Sequence, residues 1–169
     1  DFDGIICLPG THTKWVHVSA GELVSFQTFM TGEVFSLLSE QSVLRYNMNT
    51  ESWDSDVFMS SVEDSMSQPA VFSSALFSIR AQSLVSKDAD KYSENLSRLS
   101  GLLIGMELVA SRPYWLGQNV AVIGDAKLAN AYCEALKGQG IPLLMADAER
   151  MTLEGLKSAY NSLDKEVAR

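Results

Sequence analysis

The first 30 residues contain three strand-like segments in succession, and this arrangement restricts the fold more than any other feature of the sequence. Residues 5–8 form a short apolar run that stops at Pro9-Gly10, a strong turn signal. Residues 15–18 and 23–30 are rich in β-formers and are separated by the tight turn Ala20-Gly21. Since successive strands joined by short turns pair antiparallel, we predict a three-stranded meander at the start of the chain.

After residue 30 the apolar residues recur mainly at helical spacing. The pattern predicts helices over 31–44, within 45–68, from Pro69 onward, and over 90–112, 126–137 and 152–163, with strands at 120–123 and 142–145. A meander followed by alternating strands and helices is typical of an α/β domain with a mixed sheet flanked by helices. A length of 169 residues suits a single domain or one lobe of a two-lobed enzyme.

Three of these elements carry more specific expectations. Thr31 is a plausible N-cap for the first helix. The segment 45–68 is polar, and we expect a surface helix there whose role stays open between a lid, a contact between lobes and ordinary surface. Its helical spacing is carried by four apolar residues, Val57, Phe58, Val62 and Met66. Along the last helix an apolar stripe is expected to face inward, and it consists of Leu153, Leu156, Tyr160 and Leu163.

The composition argues against several classes of protein. Acidic residues outnumber basic ones by 21 to 13, which gives a net charge of −8 and disfavours a nucleic-acid-binding protein. No apolar run is long enough to span a bilayer, and no signal-peptide pattern opens the chain. Cys7 and Cys133 are far apart and are expected to be reduced thiols of a cytoplasmic protein. Because Asp1 leads almost directly into a buried strand, with no initiator Met, we expect residues to be missing upstream.

The turn between the first two strands is the first candidate site. It is dense in small and hydroxyl-bearing residues around Gly10, Thr11 and Thr13, and successive backbone N–H groups in such a turn can form an anion-binding nest. Lys14 adds a mobile positive charge. The spacing is not that of a Walker A loop, because Trp15 follows the lysine. A plain hairpin loop with a solvated lysine is the alternative.

Two further turns precede helices. Thr31-Gly32-Glu33 opens the first helix, whose N-terminus favours anions, and Glu33 could approach a magnesium ion through water. Gly124-Asp125 follows the fourth strand, where ligands of α/β sheets commonly bind. The alternatives are an ordinary capped helix and an ordinary strand–helix turn.

Two remaining patterns are structural rather than chemical. Gly101 and Gly105 are four residues apart on the long helix, which favours close packing of another element over a nucleotide lying along that face. His12 and His17 lack the partners and spacing of a zinc site, so we predict no protein-ligated metal.

Four segments together resemble the 2-dehydro-3-deoxygalactonokinases, a family of bacterial sugar-acid kinases. The resemblance covers about residues 5–145 and keeps the family's order and spacing. The matching segments are Leu8-Pro9-Gly10-Thr11-His12-Thr13-Lys14-Trp15, Thr31-Gly32-Glu33, Phe77-Ser78-Ile79-Arg80-Ala81 and Ser100-Gly101-Leu102-Leu103-Ile104-Gly105-Met106-Glu107.

The resemblance implies a fold and an activity. It implies a ribonuclease-H-like, actin-like ATPase lobe, the C-terminal lobe of a two-lobed kinase that transfers the γ-phosphoryl of ATP to 2-dehydro-3-deoxy-D-galactonate and gives the 6-phosphate. The family's first phosphate loop, its catalytic carboxylate and most sugar-acid contacts would then precede residue 1. The implied partners are ATP with Mg²⁺ and the sugar acid, and a homodimer is compatible with the family. A nucleotide- or partner-binding module without activity is the alternative.

The same resemblance implies a set of nucleotide-binding residues. The second phosphate loop corresponds to Gly10, Thr11, His12, Thr13 and Lys14. The glycine after the third strand corresponds to Gly32, beside Glu33. The adenosine loop corresponds to Gly124 and Asp125, where Gly-Asp replaces the Gly-Gly of related sugar kinases.

Overall fold

A five-stranded mixed sheet forms the centre of the protein. The computed structural model describes residues 2–48, 52–85 and 94–167, with the side chains of 164–167 left aside. The strands are β1 (Gly4–Leu8), β2 (Thr13–Ser19), β3 (Glu22–Phe29), β4 (Val120–Gly124) and β5 (Leu143–Asp147), in the spatial order β3-β2-β1-β4-β5. Strands β1, β2 and β3 pair antiparallel, whereas β4 is parallel to β1 and β5 is parallel to β4. The predicted meander and the α/β class with a mixed sheet are confirmed.

The helices follow the predicted order with shifted boundaries. They are α1 (Thr31–Glu40), α2 (Ser55–Ser67), α3 (Phe72–Val85), α4 (Asn95–Ala110), α5 (Arg112–Trp115), α6 (Ala126–Gly138) and α7 (Ala148–Val167), with 3₁₀ turns at Val43–Asn47 and Pro69–Val71. The first helix ends at Glu40 rather than at residue 44, and the predicted residues 90–93 of the long helix lie outside the described residues. Pro113 does not simply end the long helix, because it belongs to the short α5. No helix of the described residues is long and apolar enough to cross a membrane.

Two apolar clusters hold the layers together. The larger one joins the sheet to α2, α4 and α6, and includes Trp15, Phe58 and Leu108, each with a fully buried side chain. The smaller one joins α4 to α3 and to the 3₁₀ turn Val43–Asn47, and it includes Leu99 and Ile79. Because α4 contributes to both clusters, its position fixes how the two parts of the core meet.

Helix α2 lies against α4, which contradicts the predicted surface helix. Phe58 and Val62 are 0% exposed. Polar composition concealed this burial, because the buried serines pair their hydroxyls with backbone carbonyls. Ser61 Oγ donates to the Val57 carbonyl of α2 at 2.7 Å, and Ser65 Oγ donates to the Leu102 carbonyl of α4 at 2.8 Å. A segment rich in serine can therefore form a core helix.

The close approach of α2 and α4 depends on two glycines. A Cβ at Gly101 would lie 2.4 Å from the Phe58 carbonyl oxygen, and a Cβ at Gly105 would lie 2.7 Å from the Val62 carbonyl oxygen. Both distances are shorter than any real Cβ contact. The close-packing interpretation of these glycines is confirmed.

The apolar stripe of α7 faces solvent, so the prediction that it faces inward is wrong. The four side chains, Leu153, Leu156, Tyr160 and Leu163, are 59–64% exposed. In the described chain α7 makes its main contacts with β4 and β5, near its own beginning. Helical periodicity correctly identifies an apolar face, but it contains no information about which element covers that face.

The contact at Gly101 predicts that a glycine-to-alanine change within a helix lowers stability, which is the opposite of the usual effect. Alanine is intrinsically a better helix former than glycine by about 1 kcal/mol, yet we expect Gly101→Ala to lower the free energy of unfolding by about 1–3 kcal/mol because its methyl group forces α2 away. Gly155→Ala is the matched control, since a Cβ at Gly155 in the exposed α7 meets nothing within 4 Å. We expect this control to raise stability by about 0.5–1 kcal/mol in the same urea titration. Equal gains in both variants would show that α2 and α4 are not tightly packed.

Candidate functional site

A cleft of about 390 Å³ lies between the β1–β2 turn, α1, α4 and α6. Its polar rim includes Thr11, Thr31, Asp125 and Lys127, and its walls are largely apolar. The apolar wall residues include Phe35, Leu103, Ile104 and Leu128. A concave apolar surface with a few convergent polar groups is typical of a small-molecule site.

Two glycines, Gly10 and Gly32, lie where the β1–β2 turn meets the start of α1 at the cleft. A Cβ at Gly32 would lie 2.3 Å from the Gly10 carbonyl oxygen and 2.8 Å from Thr11 Cα, so only glycine allows the turn to rest on the start of α1. The Glu33 amide also donates to the Thr11 carbonyl at 2.9 Å. By contrast, a Cβ at Gly10 would meet nothing within 4 Å. The turn and α1 form one unit, with open space beside Gly10.

Three other residues of this region, His12, Thr13 and Lys14, are not among the residues that line the cleft. His12 Nε2 and Glu33 Oε2 are 2.6 Å apart on the exposed side, and Lys14 Nζ donates to the His12 carbonyl at 2.8 Å. The buried Thr13 hydroxyl lies 3.0 Å from the Tyr132 hydroxyl. The structure thus brings Gly10, Thr11, Gly32 and Asp125 together at the cleft, whereas His12, Thr13, Lys14, Glu33 and Gly124 are not among its lining residues. Nucleotide binding by all nine residues stays a prediction.

The turn after β4 forms the opposite rim. Asp125 is the N-cap of α6, where its carboxylate accepts a hydrogen bond from the Lys127 amide at 3.0 Å. Gly124 packs against the β1–β2 turn, because its Cβ position lies 3.2 Å from the Pro9 carbonyl oxygen. Lys127 also lines the cleft and was not among the predicted site residues, although it follows Asp125 by only two positions.

Thr31 does not act as the N-cap of α1, contrary to expectation. Met30 occupies the cap position and no side chain caps the helix. Thr31 is instead the first helical residue, it lines the cleft, and its side chain interacts with the Glu107 carboxylate. In a sequence, a threonine whose hydroxyl pairs with a distant residue cannot be told from a threonine that caps the following helix.

Behind the cleft, Glu107 is buried at 3% exposure. Its Oε1 accepts a hydrogen bond from Trp15 Nε1 at 2.8 Å, and its Oε2 accepts one from the Tyr132 hydroxyl at 2.9 Å. Burial raises the pKa of Glu107, although these hydrogen bonds and that of Thr31 oppose the shift. Burial and the nearby Glu107 charge raise the pKa of Tyr132 well above its usual range.

The described residues contain no group of three or more His, Cys, Asp or Glu side chains that could hold a metal ion. One or two of these side chains could still act as ligands, so a divalent cation at this cleft would need further ligands, for example from a bound phosphate compound or from water. Mg²⁺ commonly binds in this way, through phosphates and water with few protein ligands.

The contact between Gly32 and the turn gives a prediction that requires no ligand. We expect Gly32→Ala to lower the free energy of unfolding by about 1–3 kcal/mol and to speed hydrogen exchange in residues 9–14, because the methyl group displaces the turn. Gly10→Ala, with open space at its Cβ position, should change stability by less than about 0.5–1 kcal/mol. If Gly32→Ala leaves exchange in the turn unchanged, the turn does not rest on α1 as described.

Comparison with known proteins identifies related kinases. A family model described as 2-keto-3-deoxy-galactonokinase matches residues 1–159. The probable 2-dehydro-3-deoxygalactonokinase DgoK1 of Rhizobium meliloti (strain 1021) is 31% identical over 163 residues, which cover 94% of this chain and 53% of the relative. The 2-dehydro-3-deoxygalactonokinase of Escherichia coli (strain K12) is 29% identical over 158 residues, covering 92% and 53% respectively.

A solved structure agrees with the sequence comparison. A crystal structure of a protein from Sinorhizobium meliloti, described as a 2-dehydro-3-deoxygalactonokinase, superposes with a TM-score of 0.85 at 30% identity. The match covers 94% of this chain and 52% of that structure, so the chain spans about half the length of the relatives it matches. Because the family match extends over residues 1–159, the chain belongs to the 2-keto-3-deoxy-galactonokinase family.

Proposed function

We propose that this chain forms the nucleotide-binding half of an ATP-dependent kinase that phosphorylates 2-dehydro-3-deoxy-D-galactonate to its 6-phosphate. The observation that carries the proposal is the cleft beside which Gly32 allows the β1–β2 turn to rest on the first turn of α1, with open space beside Gly10. Sugar-acid contacts and the catalytic carboxylate are then supplied by the other half of a family-length protein, since this chain spans only about half of its relatives.

The turn end of the cleft suits the phosphates. Backbone amides of a glycine-containing turn and the N-terminus of a helix both favour anions. Gly10 leaves room for a phosphate to approach the backbone, and Thr11 can donate from its hydroxyl. Lys14 is tethered to the His12 carbonyl and would have to exchange that hydrogen bond for a phosphate oxygen. We retain His12, Thr13, Lys14 and Glu33 as proposed contributors around this end.

The opposite part of the cleft suits the adenosine. Leu103, Ile104 and Leu128 offer an apolar surface to a flat base. Asp125 is exposed at the rim, where its carboxylate can accept a hydrogen bond from a ribose hydroxyl or an exocyclic amine, and Lys127 can neutralise phosphate charge. Gly124 contributes indirectly, because its contact with Pro9 brings the two rims close together.

The chain's own residues position charge rather than perform covalent chemistry. Phosphoryl transfer is accelerated mainly by alignment and charge neutralisation, and a bound Mg²⁺ would supply part of the charge neutralisation. The residues proposed here hold the phosphates at one end and the base at the other, which fixes the direction of the γ-phosphate. Closure against the other half would exclude water, which competes as acceptor.

The strand order supports a ribonuclease-H-like, actin-like ATPase lobe, and we propose that identity for residues 1–169. The order β3-β2-β1-β4-β5 places the meander beside two parallel strands, with the cleft at the turns that follow β1, β3 and β4. A cytoplasmic location is proposed as well, because that is where a kinase of sugar-acid breakdown finds ATP.

Three lysines allow a direct test of nucleotide binding. In calorimetric titrations of magnesium–ATP we expect Lys14→Ala and Lys127→Ala each to weaken binding about tenfold, as loss of one charge-assisted contact would. Lys157→Ala, on the exposed α7, is the control and should leave affinity unchanged. Unchanged affinity in Lys14→Ala would remove that residue from the phosphate site, whereas binding unaffected by either variant would place the nucleotide elsewhere.

The whole gene product tests the activity itself. We expect it to consume ATP only in the presence of 2-dehydro-3-deoxy-D-galactonate and a divalent cation, and to form a phosphate ester stable to mild acid at the 6-hydroxyl. The measurement is ³¹P NMR of the product combined with coupled ADP detection. ATP binding without any phosphoryl transfer to this or a related 2-keto-3-deoxy acid would instead favour a nucleotide-binding module without activity.

A further inference from the structure

Glu107 is a buried charged group to which the proposed function assigns no role. It lies on α4, with Gly101 and Gly105 earlier in the same helix, and its side chain does not line the cleft. A buried carboxylate is costly unless hydrogen bonds compensate it. Its retention behind a binding cleft therefore calls for a physical reason.

The carboxylate connects four elements that surround the cleft. From α4 it reaches β2 through Trp15, α6 through Tyr132, and the first residue of α1 through Thr31. Tyr132 extends the network to Thr13, whose hydroxyl is 3.0 Å from the tyrosine hydroxyl. Two of these partners, Thr31 and Tyr132, line the cleft, while Thr13 and Trp15 follow directly on the turn.

We propose that Glu107 is a positioning residue for the nucleotide cleft, which fixes the spacing between the β1–β2 turn on one side and α6 on the other. The inference rests on the function proposed above. It assigns to Glu107 no contact with substrate, because the residue acts through Tyr132, Thr31 and the start of β2.

The chemistry of the partners explains why this position needs two hydrogen-bonding atoms in a fixed arrangement. The Trp15 indole can only donate, so it requires an acceptor. The Tyr132 hydroxyl can donate or accept, so its partner can be an oxygen or an amide NH₂ group. Glutamine can therefore accept from Trp15 and donate to Tyr132, whereas alanine leaves both groups buried and unpaired. The geometry of the side chain, rather than its charge, is the quantity that matters.

The test compares variants of the whole gene product that lose similar stability. Glu107→Ala should raise the KM for ATP about tenfold while the KM for the sugar acid changes less than about twofold, because only the nucleotide cleft loses its bracing. Glu107→Gln should return the KM for ATP to within about threefold of the original value. Leu108→Ala is the stability control. The Leu108 side chain, next to Glu107 in the sequence, is 0% exposed and belongs to the larger apolar cluster rather than to the hydrogen-bond network. This control should lower Tm comparably without raising the KM for ATP.

A second variant and a second readout keep the outcomes separate. Tyr132→Phe keeps the ring and removes the linking hydroxyl, so it should raise the KM for ATP about threefold or more, and combining it with Glu107→Gln should add little. Hydrogen exchange in residues 9–14 should be faster in Glu107→Ala than in Leu108→Ala, whatever the reaction. Equal KM and equal exchange in these two variants would overturn the positioning role. A lack of kinase activity in the original protein would overturn the proposed function instead, and exchange would still decide the role of Glu107.

Discussion

Helix α4 can occupy the centre of the protein because Gly101 and Gly105 carry no Cβ at the points where α2 crosses it. The close contact allows α4 to join both apolar clusters, through Leu108 on the sheet side and Leu99 on the side of α3. The same helix presents Leu103 and Ile104 to the cleft. The dimensions of the core therefore depend on one helix–helix distance, which any side chain larger than hydrogen at either glycine would increase.

Buried polar groups hold the elements in register where apolar packing alone is permissive. Apolar contacts are non-directional and tolerate small sliding motions, whereas a buried donor without its acceptor costs roughly 1–3 kcal/mol. Glu107 uses this asymmetry between α4, β2 and α6, and Ser65 uses it between α2 and α4. Such directional hydrogen bonds matter more for the geometry of a cleft built from several elements than for that of a purely apolar core.

The local features of the fold could be predicted from the sequence, and the long-range ones could not. The meander, both later strands and the βα turns follow from short-range periodicity and turn residues such as Pro9-Gly10. The burial of α2 was missed because serine looks solvated in sequence, and the exposure of α7 was missed because periodicity does not identify a covering element. Trp15 and Glu107 are 92 residues apart, and Thr13 and Tyr132 are 119 apart. No pattern in a single sequence connects positions so distant. The candidate site was therefore predicted from its turn motifs, whereas the network that supports it is seen only in the structure.

Because Gly32 contacts Gly10 and Thr11, two segments about 20 residues apart in the chain cannot change position independently of each other. A bulkier residue at Gly32 cannot be accepted unless the β1–β2 turn moves at the same time, whereas the space beside the Gly10 Cβ position is open. Over evolutionary time the path of the turn and the residue at position 32 should therefore change together, although turns usually vary freely. Variation in such a protein should then come more readily from outside this pair of segments.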